Sequence, residues 1–335
     1  MNAKERMQAF LKGEKTDKIP NFPLIMTFAP KYIGRSLREY YLDYRSLVES
    51  NIRVAQDFGI DFLQLISDPY REFCSFGGVV EFSEDALPAC KQIVLQDLSG
   101  ISKLKPLVPY DCERMLDRIK GAQLYKQEMG DAYPILGWVE GAFAEAADLR
   151  NLQNLMFDLY DEPDAVHELL EICLQTAVSF AEAQIEAGAD IIGIGDAAAS
   201  LIGTHLYNEF AFNYEKRLVE AIHQAGALAK LHICGNITPL LESLKNTGAD
   251  IVDIDWMVDC CEAQNKLGDS IHICGNIDPV SVIMDGSPKI IMKEVEHLKN
   301  IVKTGFIAPG CEVPQDTPHT NLIALNNALY EVSGR

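Results

Sequence analysis

Short apolar runs alternate with longer stretches of helical periodicity along most of the chain. We predict eight strands from the runs at 19–26, 61–66, 134–140, 189–196, 227–236, 251–256, 270–276 and 305–311. The stretches between them have apolar residues at helical spacing and often end at glycine, so we predict helices at 3–13, 37–58, 112–129, 163–187, 207–225, 239–247 and 289–303. The run at 189–196 is nearly all apolar, as expected of a parallel strand that is covered on both faces.

This alternation predicts an α/β protein whose residues 1–335 form one (β/α)8 TIM barrel, with a helix before the first strand. Eight strands favour a barrel over a doubly wound sheet, which usually has fewer strands. Between residues 70 and 110 the pattern changes to Gly77-Gly78, short β-branched runs and several prolines. We interpret this region as a hairpin and loops inserted after strand two, forming a rim or lid over the strand ends.

Reactive side chains recur where the predicted strands end. In a (β/α)8 barrel the carboxyl ends of the strands form the face that carries the active site. The residues at these ends are Asp68, Glu140, Asp196, His232, Cys234, Asp255, Cys274 and Cys311. One such carboxylate alone is more simply explained as a helix cap or a solvated loop residue. Their recurrence around the predicted barrel indicates an active site.

Two of these residues form a pair with metal-binding chemistry. His232 and Cys234 are two positions apart on a predicted strand, so their side chains point to the same face. Imidazole and thiolate together suit zinc, although each side chain also occurs as an ordinary packing residue. Leu-His-Ile-Cys-Gly-Asn-Ile-Thr-Pro at 231–239 recurs as Ile-His-Ile-Cys-Gly-Asn-Ile-Asp-Pro at 271–279. Spacing alone does not choose between the two copies, and the second copy can serve only as a strand that turns into a helix.

Composition limits the possible partners. The chain has 29 Lys and Arg against 49 Asp and Glu, for a formal net charge of −20, which disfavours nucleic acid and acidic membrane surfaces. Residues 1–13 do not resemble a secretory signal, and no apolar run reaches the roughly 18 residues of a membrane span. Nine cysteines at irregular spacing indicate reduced thiols. We therefore expect a cytoplasmic protein that acts on small molecules or other proteins.

A longer motif carries a family resemblance. His232-x-Cys234-Gly is followed by Gly310-Cys311 and then Glu-Val-Pro. With this motif the chain resembles the uroporphyrinogen decarboxylase-like superfamily, and within it the zinc-dependent corrinoid methyltransferases, over nearly its whole length. The resemblance implies that His232, Cys234 and Cys311 hold a zinc ion. It also favours the first His-x-Cys copy, because the usual family counterpart of the second copy contains no metal ligands.

The same resemblance sets the expected function. The decarboxylase branch has an arginine-rich segment after the first strand, whereas residues 23–30 contain no arginine. We therefore expect methyl transfer between a corrinoid protein and a small substrate, either a thiol such as coenzyme M or a methylated compound such as a methyl ether. The direction is left open. The corrinoid would be carried by a partner protein, because the chain has no Asp-x-His-x-x-Gly segment. Two alternatives are a metal-free decarboxylase-like lyase that uses Asp68 and a zinc- or corrinoid-binding barrel without turnover.

The remaining site residues are assigned from their places at the strand ends. We predict that Asp68, Glu140 and Asp196 border the substrate pocket opposite the zinc. Asp255 or its neighbour Asp253 is expected to approach the metal, as a weak fourth ligand or as a base beside the ligands. Asn236 and Asn276, which follow the two His-x-Cys pairs, are predicted to contact the cofactor.

Overall fold

A computed structural model describes residues 1–333, and its central element is a curled parallel sheet of seven strands. The sheet has the strand order β1-β4-β5-β6-β7-β8-β9, which follows the order of these strands along the chain. The other two strands, β2 and β3, form a separate antiparallel hairpin. The strands are β1 Leu63–Gln64, β2 Val79–Glu81, β3 Ala89–Gln92, β4 Ile135–Glu140, β5 Ile191–Gly195, β6 Leu228–His232, β7 Ile251–Ile254, β8 His272–Ile277 and β9 Gly305–Pro309.

Helices surround the sheet. They are α1 Ala3–Leu11, α2 Phe28–Tyr32, α3 Leu37–Leu42, α4 Tyr44–Phe58, α5 Tyr70–Ser75, α6 Glu113–Met129, α7 Ala142–Arg150, α8 Leu152–Asp161, α9 Pro163–Glu186, α10 Gly203–Phe210, α11 Phe212–Gln224, α12 Leu241–Leu244, α13 Cys260–Leu267, α14 Pro288–Lys299 and α15 His319–Ser333. This architecture confirms the predicted barrel class. Within residues 1–333 no helix combines the length and the apolar composition needed to cross a membrane.

The predicted first strand is the one that the structure does not form. Residues 19–26 are buried and extended but make no continuous ladder. Pro20 and Pro23 explain the difference, because proline has no N–H to donate to a neighbouring strand. Single backbone bonds join the segment to its neighbours instead: Asp61 N–H donates to the Asn21 carbonyl (2.9 Å), and Val313 N–H donates to the Leu24 carbonyl (2.9 Å). The segment therefore closes the barrel between β1 and the residues after β9.

A buried polar cluster fixes this closing segment. Asp61 accepts hydrogen bonds from Arg6 Nη1 (2.6 Å) and from the backbone N–H of Asn21 (2.7 Å), and Lys18 Nζ lies 2.8 Å from its second oxygen. All four residues are buried. Ion pairs and hydrogen bonds between side chains thus replace the missing strand ladder at the closure.

Two predicted helices are interrupted. The helix predicted at 37–58 breaks at Asp43, whose side chain accepts a hydrogen bond from Arg45 N–H and so begins α4 as a new helix. Helix α4 then ends at Gly59, which has φ of 65°. The helix predicted at 207–225 begins earlier, at Gly203, and breaks at Ala211.

Strand register places three predicted or neighbouring site residues at the same level of the sheet. Glu140 of β4 pairs with Gly195 of β5, which pairs with His232 of β6, so the three lie at one level. Two positions below, Trp138 lies against β5, where a Cβ on Gly193 would come 2.2 Å from the indole ring. The glycines in the run at 191–195 therefore provide the space that Trp138 occupies beside the site.

Candidate metal centre and substrate cavity

Three of the predicted ligands converge at the carboxyl ends of the strands. One ligand atom each from His232, Cys234 and Cys311 can be chosen so that all lie within 4.8 Å of one another. The contact between His232 Nε2 and Cys234 Sγ is 3.1 Å. His232 is buried, and both thiols are partly buried.

Local backbone structure brings these ligands together. His232 is the last residue of β6, and Gly235, with φ of 84°, turns the chain directly after Cys234. The backbone N–H of Gly235 donates to Asp255 Oδ2 (2.7 Å), which ties this turn to the end of β7. Cys311 lies two residues after β9, which is the third strand beyond β6 in the sheet. The pair and the third ligand are thus held by separate strands of the same sheet.

Asp253 supports the imidazole from behind. His232 Nδ1 donates to Asp253 Oδ2 at 2.7 Å, which leaves Nε2 facing the thiols. The ammonium of Lys230, also fully buried, bonds to the same carboxylate oxygen. Of the two aspartates proposed from the sequence, Asp253 therefore contacts a ligand. The carboxylate of Asp255 accepts backbone bonds from Gly235 and Trp256 and is outside the ligand group found in residues 1–333.

The electrostatics of the cluster favour one thiolate, on Cys311, beside protonated partners. The hydrogen bond from Cys234, with the proximity of His232, lowers the pKa of Cys311 to about 4, and the resulting negative charge raises the pKa of Cys234. Burial alone would lower the pKa of His232, but its contacts with Asp253 and Cys311 raise it to about 9. Burial opposes ionisation of Asp253, yet Lys230 and His232 lower its pKa to about 2. The cluster therefore holds a thiolate close to protonated groups.

This donor set fits zinc. A tetrahedral ion bound by one imidazole and two thiolates requires ligand atoms separated by roughly 3.6–3.8 Å, calculated from the usual bond lengths. The three atoms lie within 4.8 Å of one another, and the 3.1 Å contact between His232 Nε2 and Cys234 Sγ would lengthen by about 0.5 Å to accommodate the ion. Catalytic zinc sites typically have three protein ligands, a fourth position for substrate, and a histidine whose other nitrogen donates to a carboxylate. His232, Cys234 and Cys311 would be the ligands, with Asp253 as the carboxylate.

A cavity of about 370 Å³ opens beside this cluster. Most of its wall is apolar or aromatic, and three carboxylic acids interrupt it. The lining residues are Leu24, Met26, Tyr41, Ile66, Ser67, Asp68, Pro69, Tyr70, Leu87, Pro88, Trp138, Glu140, Gly195, Ala197, His232, Cys234, Cys311 and Glu312. Leu87 and Pro88 belong to the connection between β2 and β3, so the predicted rim hairpin contributes to the cavity wall.

Two carboxylates of the cavity are engaged by buried arginines. Asp68 accepts from Arg114 Nη2 at 2.6 Å and from Nη1 at 3.2 Å, and Glu140 accepts from Arg71 Nη2 at 2.6 Å. Burial opposes ionisation of Asp68, but the arginines lower its pKa. Burial, only partly offset by Arg71, raises the pKa of Glu140 well above its usual range. Asp68 is thus held ionised, whereas Glu140 is biased toward the protonated form.

Asp196 is not part of the cavity wall, contrary to our prediction. Successive strand residues point to opposite faces, and because the position of Gly195 is level with Glu140 and His232 on the inner face, Asp196 faces outward. Its side chain is fully buried and accepts from the backbone N–H of Ala144 (2.8 Å) at the start of α7. Asp196 therefore links the sheet to the helical layer.

The remaining predicted residues lie away from the cavity wall. Asn236 is exposed and accepts from Thr238 N–H (3.1 Å), and Asn276 donates to the Val258 carbonyl (2.7 Å). Their contact with a cofactor stays a prediction. In the second His-x-Cys copy, Cys274 is buried inside the barrel near the Phe22 carbonyl. The cluster found in residues 1–333 contains only the first copy.

Several residues around the site were missed by sequence reasoning. They are Lys230, Trp138, Arg71, Arg114, Tyr41 and Glu312. Lys230 left a signal, because it lies two positions before His232 and therefore on the same face of β6. Glu312 adjoins Cys311 in the motif and accepts from Thr27 N–H (2.7 Å) and Oγ1 (2.6 Å). The two arginines left none, since their partners are distant in sequence.

The pKa of Asp196 predicts how stability changes with pH. Burial raises it to about 7, above the ordinary 3.8, although the Ala144 N–H opposes the shift. The folded state therefore binds more protons, and the associated stability is complete below about pH 4 and is lost as the pH rises to about 7. We expect the unfolding temperature to fall by about 5 °C between pH 5 and pH 8. Asp196→Asn should reduce this fall, whereas the exposed Asp111→Asn should not; equal curves for all three proteins would contradict the assignment.

Comparison with known proteins finds similar chains over nearly the full length. A sequence profile described as uroporphyrinogen decarboxylase (URO-D) matches residues 2–332. The methylcobamide:CoM methyltransferase MtbA of Methanosarcina acetivorans is 28% identical over 328 residues, covering 95% of each chain. The uroporphyrinogen decarboxylase of Trichodesmium erythraeum is 27% identical, covering 96% of this chain and 94% of its own. A solved methyltransferase from Methanosarcina mazei superposes with a TM-score of 0.89 at 22% identity, covering 99% of both chains.

Proposed function

The chain belongs to the uroporphyrinogen decarboxylase family, and we propose that it is a zinc-dependent methyltransferase that exchanges a methyl group between a corrinoid protein and a small substrate. One observation carries this proposal: two thiols and an imidazole converge at the wall of a largely apolar cavity. The similarity to methylcobamide:CoM methyltransferases over nearly the full length supports it.

Each part of the site has a role in this reaction. Zinc held by His232, Cys234 and Cys311 would supply Lewis acidity, which lowers the pKa of a thiol or polarises a methyl ether. Asp253 orients the imidazole by accepting its Nδ1 proton. The largely apolar cavity would hold the substrate next to the ligands, so that the reacting atoms meet in line.

The transfer balances in either direction. With a thiol, the cobalt–carbon bond breaks, its electron pair remains on cobalt as Co(I), the sulfur–carbon bond forms and the thiol proton leaves. With a methyl ether, Co(I) supplies the pair for a new cobalt–carbon bond, the oxygen–carbon bond breaks and the oxygen takes up a proton. A group near the cavity must accept or deliver that proton. Glu140, whose raised pKa favours the protonated form, is suited to deliver the proton to the ether oxygen and, in the reverse direction, accepts one only after it has ionised.

Two other functions are less well supported. A porphyrinogen decarboxylase would need cations for the substrate's carboxylates, but the cavity lining found in residues 1–333 contains no lysine or arginine. A binding barrel without turnover would not require the positioned Asp253–His232 pair or a carboxylic acid in the cavity. The test is to load the protein with zinc and to follow the cobalt absorption band with methylcobalamin and a thiol, and with cob(I)alamin and a methyl ether. Transfer in neither direction would refute the proposal.

We predict that Glu140→Gln retains zinc and slows methyl transfer by about 10²-fold, as expected for the loss of a proton-transferring group. Glutamine preserves the volume and can still accept the hydrogen bond from Arg71, so the cavity should keep its shape. Metal analysis and initial rates of the cobalt absorption change measure the two effects. Asp196→Asn is the matched control, because this carboxyl lies outside the cavity. Equal rates for both variants would exclude a role for Glu140.

A further inference from the structure

The charges around the cavity bear on which substrate it accepts. Its wall contains three carboxylic acids, Asp68, Glu140 and Glu312, and the lining found in residues 1–333 includes no lysine or arginine. The zinc ligands supply one imidazole and two thiolates, which together neutralise a divalent cation. An anionic substrate group placed in this cavity would therefore meet apolar surface or carboxyl groups. In either protonation state these acids provide no positive charge.

The two nearby arginines do not change this balance. Arg114 donates twice to Asp68 and once to the Tyr41 carbonyl (3.0 Å), and its guanidinium lies over the Phe82 ring, 4.9 Å from the centroid. These contacts hold Arg114 in place behind the cavity wall. Arg71 is fully buried and bonds to Glu140 and to the Asp68 carbonyl. If Arg114 turned toward a substrate anion, it would leave the ionised Asp68 buried without a partner, which is strongly unfavourable. Arg71 is not among the lining residues, and its two bonds hold its guanidinium inside the wall.

The polar group that the cavity does offer is neutral. Tyr41 lines the cavity, and its buried hydroxyl has no hydrogen-bond partner among residues 1–333. Burial, followed by the nearby Asp68, raises the pKa of this hydroxyl, so it stays protonated. A buried hydroxyl of this kind suits an uncharged oxygen on the ligand.

On the basis of the proposed function, we infer that the methyl acceptor or donor of this site is an uncharged molecule with a largely apolar body, and that anionic thiols such as a mercaptoalkanesulfonate are excluded. Desolvating an anion without a counter-charge is costly, whereas burying the apolar part of a substrate against the apolar wall is favourable. The name of the similar methylcobamide:CoM methyltransferases indicates an anionic thiol, coenzyme M, as their substrate. The substrate inferred for this chain differs in being uncharged.

The test uses two pairs of ligands that match in size and differ in charge. The first pair is 2-mercaptoethanesulfonate and 2-(methylsulfonyl)ethanethiol, in which a methyl group replaces one sulfonate oxygen. The second is 4-methoxybenzoate and 4-methoxybenzamide, for the opposite direction of transfer. Calorimetry on the zinc-loaded protein gives each affinity, corrected for the measured thiol pKa values. We expect the neutral member of a pair to bind at least about 100-fold more tightly, because an unpaired buried charge costs several kcal/mol.

A variant that adds a positive charge sharpens the test. Met26 lines the cavity on the closing segment, and Met26→Arg would introduce the missing cation at a partly buried position. This variant should strengthen binding of the anionic member by about 10-fold or more, whereas Met26→Gln, of similar size and no charge, should not. Anionic ligands that bind as well as neutral ones in the unmodified protein would overturn the inference, as would no binding by any of the four.

Failure of the inference and failure of the proposed function are distinguishable. Methyl transfer to or from the anionic member, at rates equal to those of the neutral one, retains the methyltransferase and rejects the uncharged substrate. Binding of the neutral members without methyl transfer in either direction rejects the methyltransferase, while the binding preference still supports an uncharged ligand.

Discussion

Replacing Cys234 or Cys311 with alanine is expected to reduce the zinc content from about one ion per chain to nearly none. Each substitution removes one of only three protein ligands, and two ligands do not retain a catalytic zinc against a chelator. The loss should exceed the 10–100-fold fall in affinity that follows removal of an outer hydrogen-bond partner. Methyl transfer should fall to the level of the zinc-free protein. Metal analysis after dialysis against a chelator, together with the cobalt assay, measures both effects.

The repeated motif provides the matched control for this prediction. Cys274→Ala removes the equivalent thiol of the second His-x-Cys copy, which lies inside the barrel beside Asp253 and is not one of the three grouped ligands found in residues 1–333. This variant should keep its zinc, although the cavity left in the core will lower the free energy of unfolding. Zinc lost in Cys274→Ala and retained in Cys234→Ala would mean that the second copy holds the metal.

The ends of the strands and the His232–Cys234 pair could be predicted from the sequence because both depend on short-range periodicity. His232 and Cys234 lie two positions apart on an apolar run, and that spacing alone places them on one face. Cys311 is distant in sequence, and it was assigned only by the family resemblance. The structure then brings all three together. Local spacing therefore predicted a pair, and the third ligand needed information about the whole fold.

The errors have equally specific causes. Asp196 was assigned to the cavity because it ends a strand, but the inner position at that level belongs to Gly195, so the carboxylate faces the helices. The predicted first strand contains Pro20 and Pro23, which remove the donors that a ladder requires. Both errors could have been avoided from the sequence. The alternation of strand faces indicates the direction of Asp196, and the two prolines indicate the missing N–H groups.

The pairing of buried charges could not be predicted in this way. Arg71 and Glu140 are 69 positions apart, and Arg114 and Asp68 are 46 apart. Nothing in the local sequence indicates that these arginines lie inside the barrel wall, since arginine is mostly exposed in proteins. The apolar, carboxylate-bearing character of the cavity, and so its expected preference for an uncharged substrate, follows only from the folded structure.

Asp253→Leu is expected to lower zinc affinity by 10–100-fold without removing a ligand. Asp253 Oδ2 accepts the Nδ1 proton of His232 at 2.7 Å, and this bond fixes both the tautomer and the orientation in which Nε2 faces the thiols. Leucine has a similar volume but no acceptor, so the imidazole can rotate. Asp253→Asn keeps an acceptor oxygen, so its zinc affinity should lie between those of the unmodified protein and Asp253→Leu. Competition with a chelator of known affinity measures the series.

The same substitution also exposes the role of Lys230. Its ammonium is fully buried and bonds to Asp253, so Asp253→Leu leaves a buried charge unpaired and should lower the free energy of unfolding by about 3–5 kcal/mol. The double variant Lys230→Met/Asp253→Leu removes that charge and should recover most of the stability in denaturant titrations. Zinc affinity should remain low in the double variant, because the acceptor for His232 is still missing. If the double variant regains wild-type zinc affinity, the loss in Asp253→Leu arises from destabilisation, and Asp253 does not position the ligand.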